Sequence, residues 1–455
     1  MPKRLHRHFQ WVGIGIYLMA LLIVSAWFRD YALKPLWMAW GIGTVLCFFL
    51  LTYIFHHQWK DNERQAFVKK VFWMALGIRV VYVGAMMFYY YYQTGLSMEY
   101  QAADSLNYHY MACHLANFAR KGQFHELFMM LNANTMGFSD QGYILYLTTL
   151  YTCFGKNILI PRLLKALMSA YLCVVVYKLA SRSLGEKTAR LAAVIAVFLP
   201  QFIHYTGTYM KETEMVFLAT LAMERMDYLI RSKRYTFWNI SFPILLVALT
   251  FGFRTILGMI LIASFVLFIL FAEPGLISKK ARWIALIAIA VIVVVFLFTP
   301  IGWEMLIVVH LNFSESAGLV GKYMAPGAFV LPLTNLVEVA NENQKMMTGT
   351  YFVKNYLAFF AMWSIVVAIR DRRWRDFSLI GSFTILYALM IAFSFAFKSE
   401  RYHLPVMPGL VIMAAFAMTR FRKRDFAFYY GYDAVLLIAI VVWNYLKLAA
   451  RGLIF

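Results

Sequence analysis

The sequence predicts an all-α polytopic membrane protein, a bundle of about 13 transmembrane helices with interfacial helices in its first long outer loop. Hydrophobic residues make up 62% of the 455 residues and charged residues only 14%, whereas a soluble domain carries roughly 25% charged residues. Apolar runs of membrane-spanning length recur along the chain, and Lys and Arg concentrate in alternate connections between them. A water-soluble globule of this length could not cover its surface with so few charges, which excludes soluble folds.

The predicted spans are apolar runs close to the length that a transmembrane helix needs, about 17–25 residues. They cover residues 9–28, 36–56, 71–92, 158–181, 189–209, 213–230, 236–253, 255–272, 283–300, 351–369, 377–397, 404–419 and 427–446. Run 141–154 is short for a span, and we place it as a helix at the outer interface. Run 213–230 is the weakest span because Glu224, Arg225 and Asp227 lie in one half of it. We retain it because long side chains near a helix end can snorkel.

The basic residues predict the orientation of the chain. Seven basic clusters, from Lys3–Arg7 to Arg420–Arg424, hold 24 of the 43 Lys and Arg residues, and the alternate connections with the C-terminus hold 13. The positive-inside rule assigns the richer set to the cytoplasm. The N-terminus is then cytoplasmic and the protein is a multi-pass component of the inner (plasma) membrane. The net charge of +21 is mostly this orientation feature, so no nucleic acid partner is expected.

Two long outer loops, about 93–157 and 301–350, are predicted to place any chemistry at the periplasmic or exterior face. The first loop contains Asp104, followed at helical spacing by Tyr108. Asp104 or Ser105 serves as the N-cap of an amphipathic helix, or Asp104 is a general base for an acceptor hydroxyl; the residues alone leave both open. Loop 301–350, with Glu315, Lys322, Glu338 and Glu342, is a candidate for acceptor selection by position.

Further ionisable groups stand at the outer apolar boundary, where such residues are functional candidates. Lys211, Glu212 and Glu214 enter a predicted span together, either as a rim ion pair or as groups that orient a polar substrate. Arg254 has almost no polar neighbour in sequence and needs an anion, either a lipid headgroup phosphate or a substrate phosphate.

A short outer turn supplies a second group of cations. Arg401 and His403 are predicted to bind a phosphate and its leaving oxygen, while Arg401 and Tyr402 could instead anchor the helix at the interface. Arg162 adds positive charge at the outer start of the fourth span, and it is a further candidate, with Lys211 and Tyr402, for binding the substrate or its phosphate. No HExxH or Cys/His spacing is present, so no cofactor is firmly predicted and a divalent metal is disfavoured.

In their order and spacing these segments resemble the GT-C class of membrane glycosyltransferases, closest to dolichyl-phosphate-mannose protein mannosyltransferases and bacterial aminoarabinose transferases. The resemblance is carried by ADSLNYHYMACHLA, GYILYLTTLYTCFGKN, KET and ERYHLPVMP, and covers about residues 71–420. It implies a GT-C-like catalytic core over 71–420. Residues 1–70 are then two additional N-terminal spans with a cytoplasmic loop, and 421–455 a C-terminal span.

The resemblance also implies a function. A sugar moves from a polyprenyl-phosphate carrier to an acceptor hydroxyl by inverting displacement, with Asp104 as catalytic base and Glu212 at the second acidic position of the class. Arg254 and Arg401 fall where the class places cations for the lipid phosphate. The residues depart from the class at 140–143, where many members carry a His-Pro-Pro segment. They also depart at 211–214, where KETE replaces the paired aspartates of oligosaccharyltransferases and disfavours a bound metal.

Two other functions remain open. A flippase or transporter for a lipid-linked saccharide would usually show repeats and broken helices near the midplane, and the sequence shows neither. A polysaccharide polymerase or ligase shares the donor type but transfers a whole glycan from a pyrophosphate carrier. The acceptor, whether lipid, protein or polysaccharide, is not identified by the sequence.

Overall fold

The computed structural model describes residues 3–99, 103–134, 139, 141–273, 275–299, 302–303, 306–307, 310, 327, 329–338, 342–393 and 399–454. Over these residues the chain is helical, with a single isolated β-bridge between Ala32 and Val337. The helices are α1 (Lys3–Trp27), α2 (Pro35–Trp59), α3 (Arg64–Thr94), α4 (Ala103–Arg120), α5 (Phe124–Asn134), α6 (Gln141–Phe154), α7 (Leu159–Ser183), α8 (Glu186–Phe198), α9 (Pro200–Gly207), α10 (Glu212–Ser232), α11 (Phe237–Phe253), α12 (Thr255–Phe271), α13 (Lys279–Leu297), α14 (Glu342–Met346), α15 (Thr348–Arg370), α16 (Ser378–Phe393), α17 (Glu400–His403), α18 (Met407–Thr419) and α19 (Phe426–Ala449).

The all-α polytopic prediction is confirmed, but the count of thirteen spans is not. Within the described ranges, nine helical segments are long and apolar enough to cross a membrane, or ten if α8 and α9 form one bent span. Helices also cover the remaining predicted runs, yet α11 and α12 have only 17 residues each. Helix α10 has 21 residues but is rich in charge. With α8 and α9 counted as one bent span, these three helices account for the difference between the thirteen predicted and the ten qualifying spans.

The charged half of α10 faces another helix. Arg182 on α7 donates to Glu224 at 2.7 Å and to Asp227 at 2.8 Å. Arg231, one turn further along α10, also pairs with Asp227 at 2.8 Å, and both carboxylates are buried. The predicted snorkelling is therefore not needed for these two carboxylates, because interhelical ion pairs satisfy them.

A break between α8 and α9 directs the chain toward the outer loops. Pro200 is the first residue of α9 and cannot donate to the preceding turn, and the two helices meet at 40°. The fully buried Arg79 donates to the carbonyls of Ala196 and Val197 at 3.2 and 3.3 Å and to Ser169 Oγ at 2.6 Å. Arg79 thus satisfies backbone acceptors left at the end of α8.

The connections predicted to share a side of the membrane are in contact. At one end, the amide of Glu338 donates to the carbonyl of Tyr31 at 2.9 Å, joining the first connection to the loop before α14. At the other end, Arg190 donates to the carbonyl of Asn62 at 2.7 Å, and Arg370 pairs with Asp425 at 3.1 Å. These contacts agree with the predicted alternation of the connections.

The described part of the first long loop folds into α4, α5 and α6. The helix predicted at 141–154 has those bounds, and Tyr143, Leu147 and Tyr151 form its buried face at a spacing of four residues. A Cβ atom added at Gly142 would lie 2.7 Å from the backbone carbon of Gly252. Helix α6 therefore packs backbone to backbone against the end of α11.

Candidate active site

A charged cavity of about 190 Å³ opens at the end of the bundle that carries the predicted outer loops. Four parts of the chain supply its walls: α4, the segment between α9 and α10 with the first residue of α10, the junction of α11 and α12, and α17. The lining residues are Asp104, Tyr108, Met210, Lys211, Glu212, Arg254, Arg401 and Tyr402. Six predicted site residues, far apart in sequence, thus come together.

Asp104 lies in the first turn of α4 and is paired with an arginine from the far end of the chain. Arg401 Nη1 donates to Asp104 Oδ2, and Arg401 Nη2 donates to the Tyr402 hydroxyl at 3.0 Å. The Asp104 side chain is 44% exposed and that of Arg401 is 29% exposed. A ligand that enters the cavity can therefore reach both groups.

Arg254 and Arg401 share one aromatic ring. The guanidinium carbon of Arg254 lies 4.6 Å from the centroid of the Tyr402 ring, and that of Arg401 lies 4.9 Å from the same centroid. Contacts of this length are cation–π interactions. Arg254 is the single residue between α11 and α12, and its side chain also interacts with Tyr387. The shared ring keeps two like charges near one another.

Lys211 and Glu212 form the floor of the cavity. The Lys211 ammonium donates to the carbonyl of Phe253 at 2.7 Å. Burial, together with the positive charge of Arg254, lowers the pKa of Lys211 to about 7. Glu212 is 2% exposed, and its Oε2 makes no hydrogen bond to any described residue. A buried acceptor of this kind calls for a donor from water or from a ligand.

The charges of the cavity suit an anion that also carries hydroxyl groups. Lys211, Arg254 and Arg401 oppose the two carboxylates of Asp104 and Glu212, which leaves a net positive charge when Lys211 is protonated. This donor set does not fit a divalent cation, because three cations surround the carboxylates and Arg401 already holds Asp104. Across the described residues no three His, Cys, Asp or Glu side chains group as metal ligands.

Two predicted site residues do not line the cavity. Arg162 is fully buried and pairs with Glu99 at 3.5 Å, so it points into the protein interior instead of toward a substrate. His403 is also buried, on the same short helix as Arg401. Glu315 and Lys322, predicted in the second long outer loop, fall outside the described residues.

Sequence reasoning missed two lining residues. Tyr108 lies one turn after Asp104 on α4, a spacing that places both on one face of the helix. Burial raises the pKa of Tyr108, so its hydroxyl stays protonated and can donate. Met210 precedes Lys211 and had no chemical feature to mark it. The four-residue spacing from Asp104 could have predicted that Tyr108 faces the same site.

A multi-pass membrane protein, helical over its described residues, with a cavity at one end lined by three cations and two carboxylates is the class that the fold and the site define. Residues 141–299 match the family model described as dolichyl-phosphate-mannose-protein mannosyltransferase, a GT-C family. The resemblance seen in the sequence is thereby confirmed over α6 to α13, a segment that contains Lys211, Glu212 and Arg254.

Among solved structures, the chain is similar to the archaeal oligosaccharyltransferase AglB from Archaeoglobus fulgidus, in complex with an inhibitory peptide and a dolichol-phosphate. The TM-score is 0.48 and the sequence identity is 11%. The similarity covers 86% of this chain and 56% of the archaeal chain, so the chain spans little more than half the length of that enzyme. Comparison with curated proteins finds no match.

Proposed function

We propose that the protein is a glycosyltransferase that moves a sugar from a polyprenyl-phosphate carrier to an acceptor hydroxyl at the outer membrane face. One observation carries the proposal: a carboxylate, Asp104, shares a small cavity with the cations Lys211, Arg254 and Arg401. A base for the acceptor and cations for the leaving phosphate are the two requirements of such a transfer. The family match over 141–299 supports the same donor chemistry.

The reaction is a single displacement. The acceptor oxygen bonds to the anomeric carbon while the bond from that carbon to the donor phosphate oxygen breaks. The electron pair of that bond leaves with the polyprenyl phosphate, and the acceptor proton passes to Asp104. Because the attack comes from the face opposite the leaving phosphate, the anomeric configuration inverts. Preorganised cations stabilise the charge that develops on the phosphate, a role that Arg254 and Arg401 would share.

The proposal includes a location. The catalytic core spans residues 71–420 of a multi-pass inner (plasma) membrane protein whose N-terminus is cytoplasmic and whose cavity faces the periplasm or exterior. The distribution of Lys and Arg supports this orientation. Since nucleotide sugars are cytoplasmic, an outer site needs a donor carried across by a lipid.

Substitution of Asp104 tests the function. Purified protein in lipid nanodiscs is supplied with labelled polyprenyl-phosphate sugars and a membrane acceptor pool, and transfer is measured. Asp104→Asn should lower kcat by roughly 10²–10⁴-fold, the usual worth of a general base, while the donor still binds. Asp30→Asn, an exposed carboxylate on another outer connection, should leave kcat unchanged.

The same assay separates the competing functions. Equal turnover by Asp104→Asn and the wild type would remove Asp104 as the base. Transfer of a whole glycan from a pyrophosphate carrier, without transfer from the monophosphate, would establish the polymerase or ligase alternative. Movement of the lipid-linked saccharide across the bilayer without transfer would establish the transporter alternative.

A further inference from the structure

A buried glutamate ties together the two sides of the cavity. Glu99, between α3 and α4, is 1% exposed. It accepts a hydrogen bond from Ser105 Oγ, the residue next to Asp104, and its Oε1 accepts from the amide of Tyr209 at 2.7 Å. Tyr209 stands two residues before Lys211. One carboxylate therefore contacts the helix that carries the proposed base and the segment that leads to the cavity floor.

Arg162 is the counter-ion of this glutamate. Its Nη2 lies 3.5 Å from Glu99 Oε2, with both side chains fully buried. Its guanidinium carbon lies 5.6 Å from the centroid of the Tyr209 ring. None of its three side-chain nitrogens makes a hydrogen bond to a described residue. In the described structure its evident role is to neutralise Glu99 and to pack on Tyr209.

The segment before Lys211 is held on its other face as well. Lys165, one turn after Arg162 on α7, donates to the carbonyl of Thr208 at 2.9 Å and to that of Met210. Lys165 also pairs with Glu214 at 3.5 Å, and both are buried. The backbone groups of Thr208, Tyr209 and Met210 are thus each hydrogen-bonded to a buried acidic or basic side chain. Of these side chains, Glu99 also reaches α4.

Buried ion pairs of this kind contribute little to the net free energy of folding. The transfer of two charges out of water is costly, and apolar residues of similar volume often replace such pairs without loss of stability. Hydrogen bonds from Glu99 to two separate elements instead fix the relative placement of those elements. A group that acts in the chemistry must be held closely, since a displacement of about 1 Å costs on the order of 100-fold in rate.

We propose that Glu99 and Arg162 are positioning residues that set the distance between Asp104 and the Lys211–Glu212 floor. This inference rests on the proposed function. Glu99 fixes the geometry through its two accepted hydrogen bonds, and Arg162 keeps its carboxylate compatible with burial. Neither residue lines the cavity, so neither contacts the substrate. The prediction of Arg162 as a phosphate ligand is replaced by this indirect role.

Two double variants test the proposal. Glu99→Leu with Arg162→Met replaces the pair by apolar side chains and removes both hydrogen bonds to Glu99. It should fold, as judged by its melting temperature and size-exclusion profile, with kcat lowered by about 100-fold and the donor KM changed by less than about threefold. Both hydrogen bonds are accepted by Oε1 of Glu99, so Glu99→Gln with Arg162→Met keeps one uncharged oxygen that can accept both, and should restore kcat to within about tenfold of the wild type.

The outcomes are distinct. A folded Glu99→Leu/Arg162→Met variant with wild-type kcat overturns the inference, as does a folded Glu99→Gln/Arg162→Met variant that restores nothing. Absence of transfer by the wild-type protein would instead defeat the proposed function. The pair of Arg182 and Asp227, at the opposite end of the bundle, provides the matched control. Its replacement by Met and Leu should change stability but leave kcat per folded molecule unchanged.

Discussion

Lys211 gives the cavity a dependence on pH near neutrality. Burial and the neighbouring Arg254 lower the pKa of Lys211 to about 7, so its ammonium form predominates below that pH and the neutral amine above it. The anionic phosphate of the donor binds better to the ammonium form of Lys211. Above the pKa the free amine is neutral, so the protein must take up a proton to bind the donor, and this weakens binding as pH rises. Donor affinity should fall by about tenfold between about pH 6 and about pH 8, measured by equilibrium binding of the phosphodiester donor.

Two variants separate Lys211 from other titrating groups. Lys211→Met removes the ammonium, so its affinity should be low and flat across this pH range. Lys211→Arg stays charged and should remove the decline at the upper end. A phosphodiester donor is preferable to polyprenyl phosphate because the second ionisation of a monoester falls near pH 6. An unchanged pH dependence in Lys211→Met would contradict the assignment.

At the residue scale, the sequence identified the charged side chains of the cavity more reliably than the residues with which buried charges pair. The charges at Asp104, Arg254 and Arg401 were visible because ionisable residues stand out at an apolar boundary, and the structure brings them together. Their chemical roles remain predictions. Arg162 stood out for the same reason, but its partner Glu99 lies 63 positions earlier and no local pattern links the two. Ion pairs across the fold follow from tertiary packing, which spacing in the chain does not encode.

The contact between α6 and α11 is the element-scale feature that places Arg254. An added Cβ at Gly142 would meet backbone atoms of Gly252 at 2.7 and 2.8 Å, and backbone cannot rotate away as a side chain can. Gly142→Ala should therefore push the helices apart, with a destabilisation of about 1–3 kcal/mol, the usual cost of overpacking. Transfer activity should fall as well, because Phe253 and Arg254 directly follow Gly252. Thermal unfolding and the transfer assay measure the two effects.

Gly77 on α3 is the matched control for this substitution. Apart from its chain neighbours and the backbone of its own helix, no described atom lies within 4 Å of an added Cβ at Gly77, and alanine favours a helix interior over glycine. Gly77→Ala should keep or slightly raise the melting temperature and leave transfer unchanged. A Gly142→Ala protein with wild-type stability and activity would show that the close approach of α6 and α11 is not needed.

The sequence predicted elements better than their ends and bends. Apolar run length located the helices, and the 14-residue run at 141–154 gave α6 its bounds. The break at Pro200 divides a predicted span into α8 and α9, because a proline ends the hydrogen-bond ladder within an apolar run. The backbone contact at Gly142 was also unseen, since a glycine in sequence does not reveal what approaches it.

At the scale of the whole molecule, the charge distribution grouped connections that the fold brings together, whereas hydrophobicity overcounted the spans; the orientation itself stays a prediction. Contacts such as those of Arg190 with Asn62 and of Arg370 with Asp425 join connections assigned to one side. The span count departs because α11 and α12 are short and because α10 carries charges that pair with α7. Apolar length alone cannot recognise a helix whose charges are satisfied inside the bundle.

Labelling of single cysteines tests the orientation that the proposed function requires. In a protein whose four native cysteines are replaced by alanine, Lys121→Cys places a thiol in the exposed turn between α4 and α5. Asp61→Cys places one in the exposed connection between α2 and α3, where the Asp61 side chain is 86% exposed. The positive-inside rule assigns the connection between α2 and α3 to the cytoplasm and the turn between α4 and α5 to the opposite side.

A membrane-impermeant maleimide should therefore label Lys121→Cys in cells or spheroplasts with an intact membrane, and should label Asp61→Cys only after permeabilisation. The reverse pattern would place the charged cavity in the cytoplasm, where nucleotide sugars are available and a lipid carrier would not be required. Labelling of both positions before permeabilisation would show that the two ends of the bundle are not separated by the membrane. Either result would overturn the outer-face transfer, because the cavity and α4 lie at the same end of the molecule.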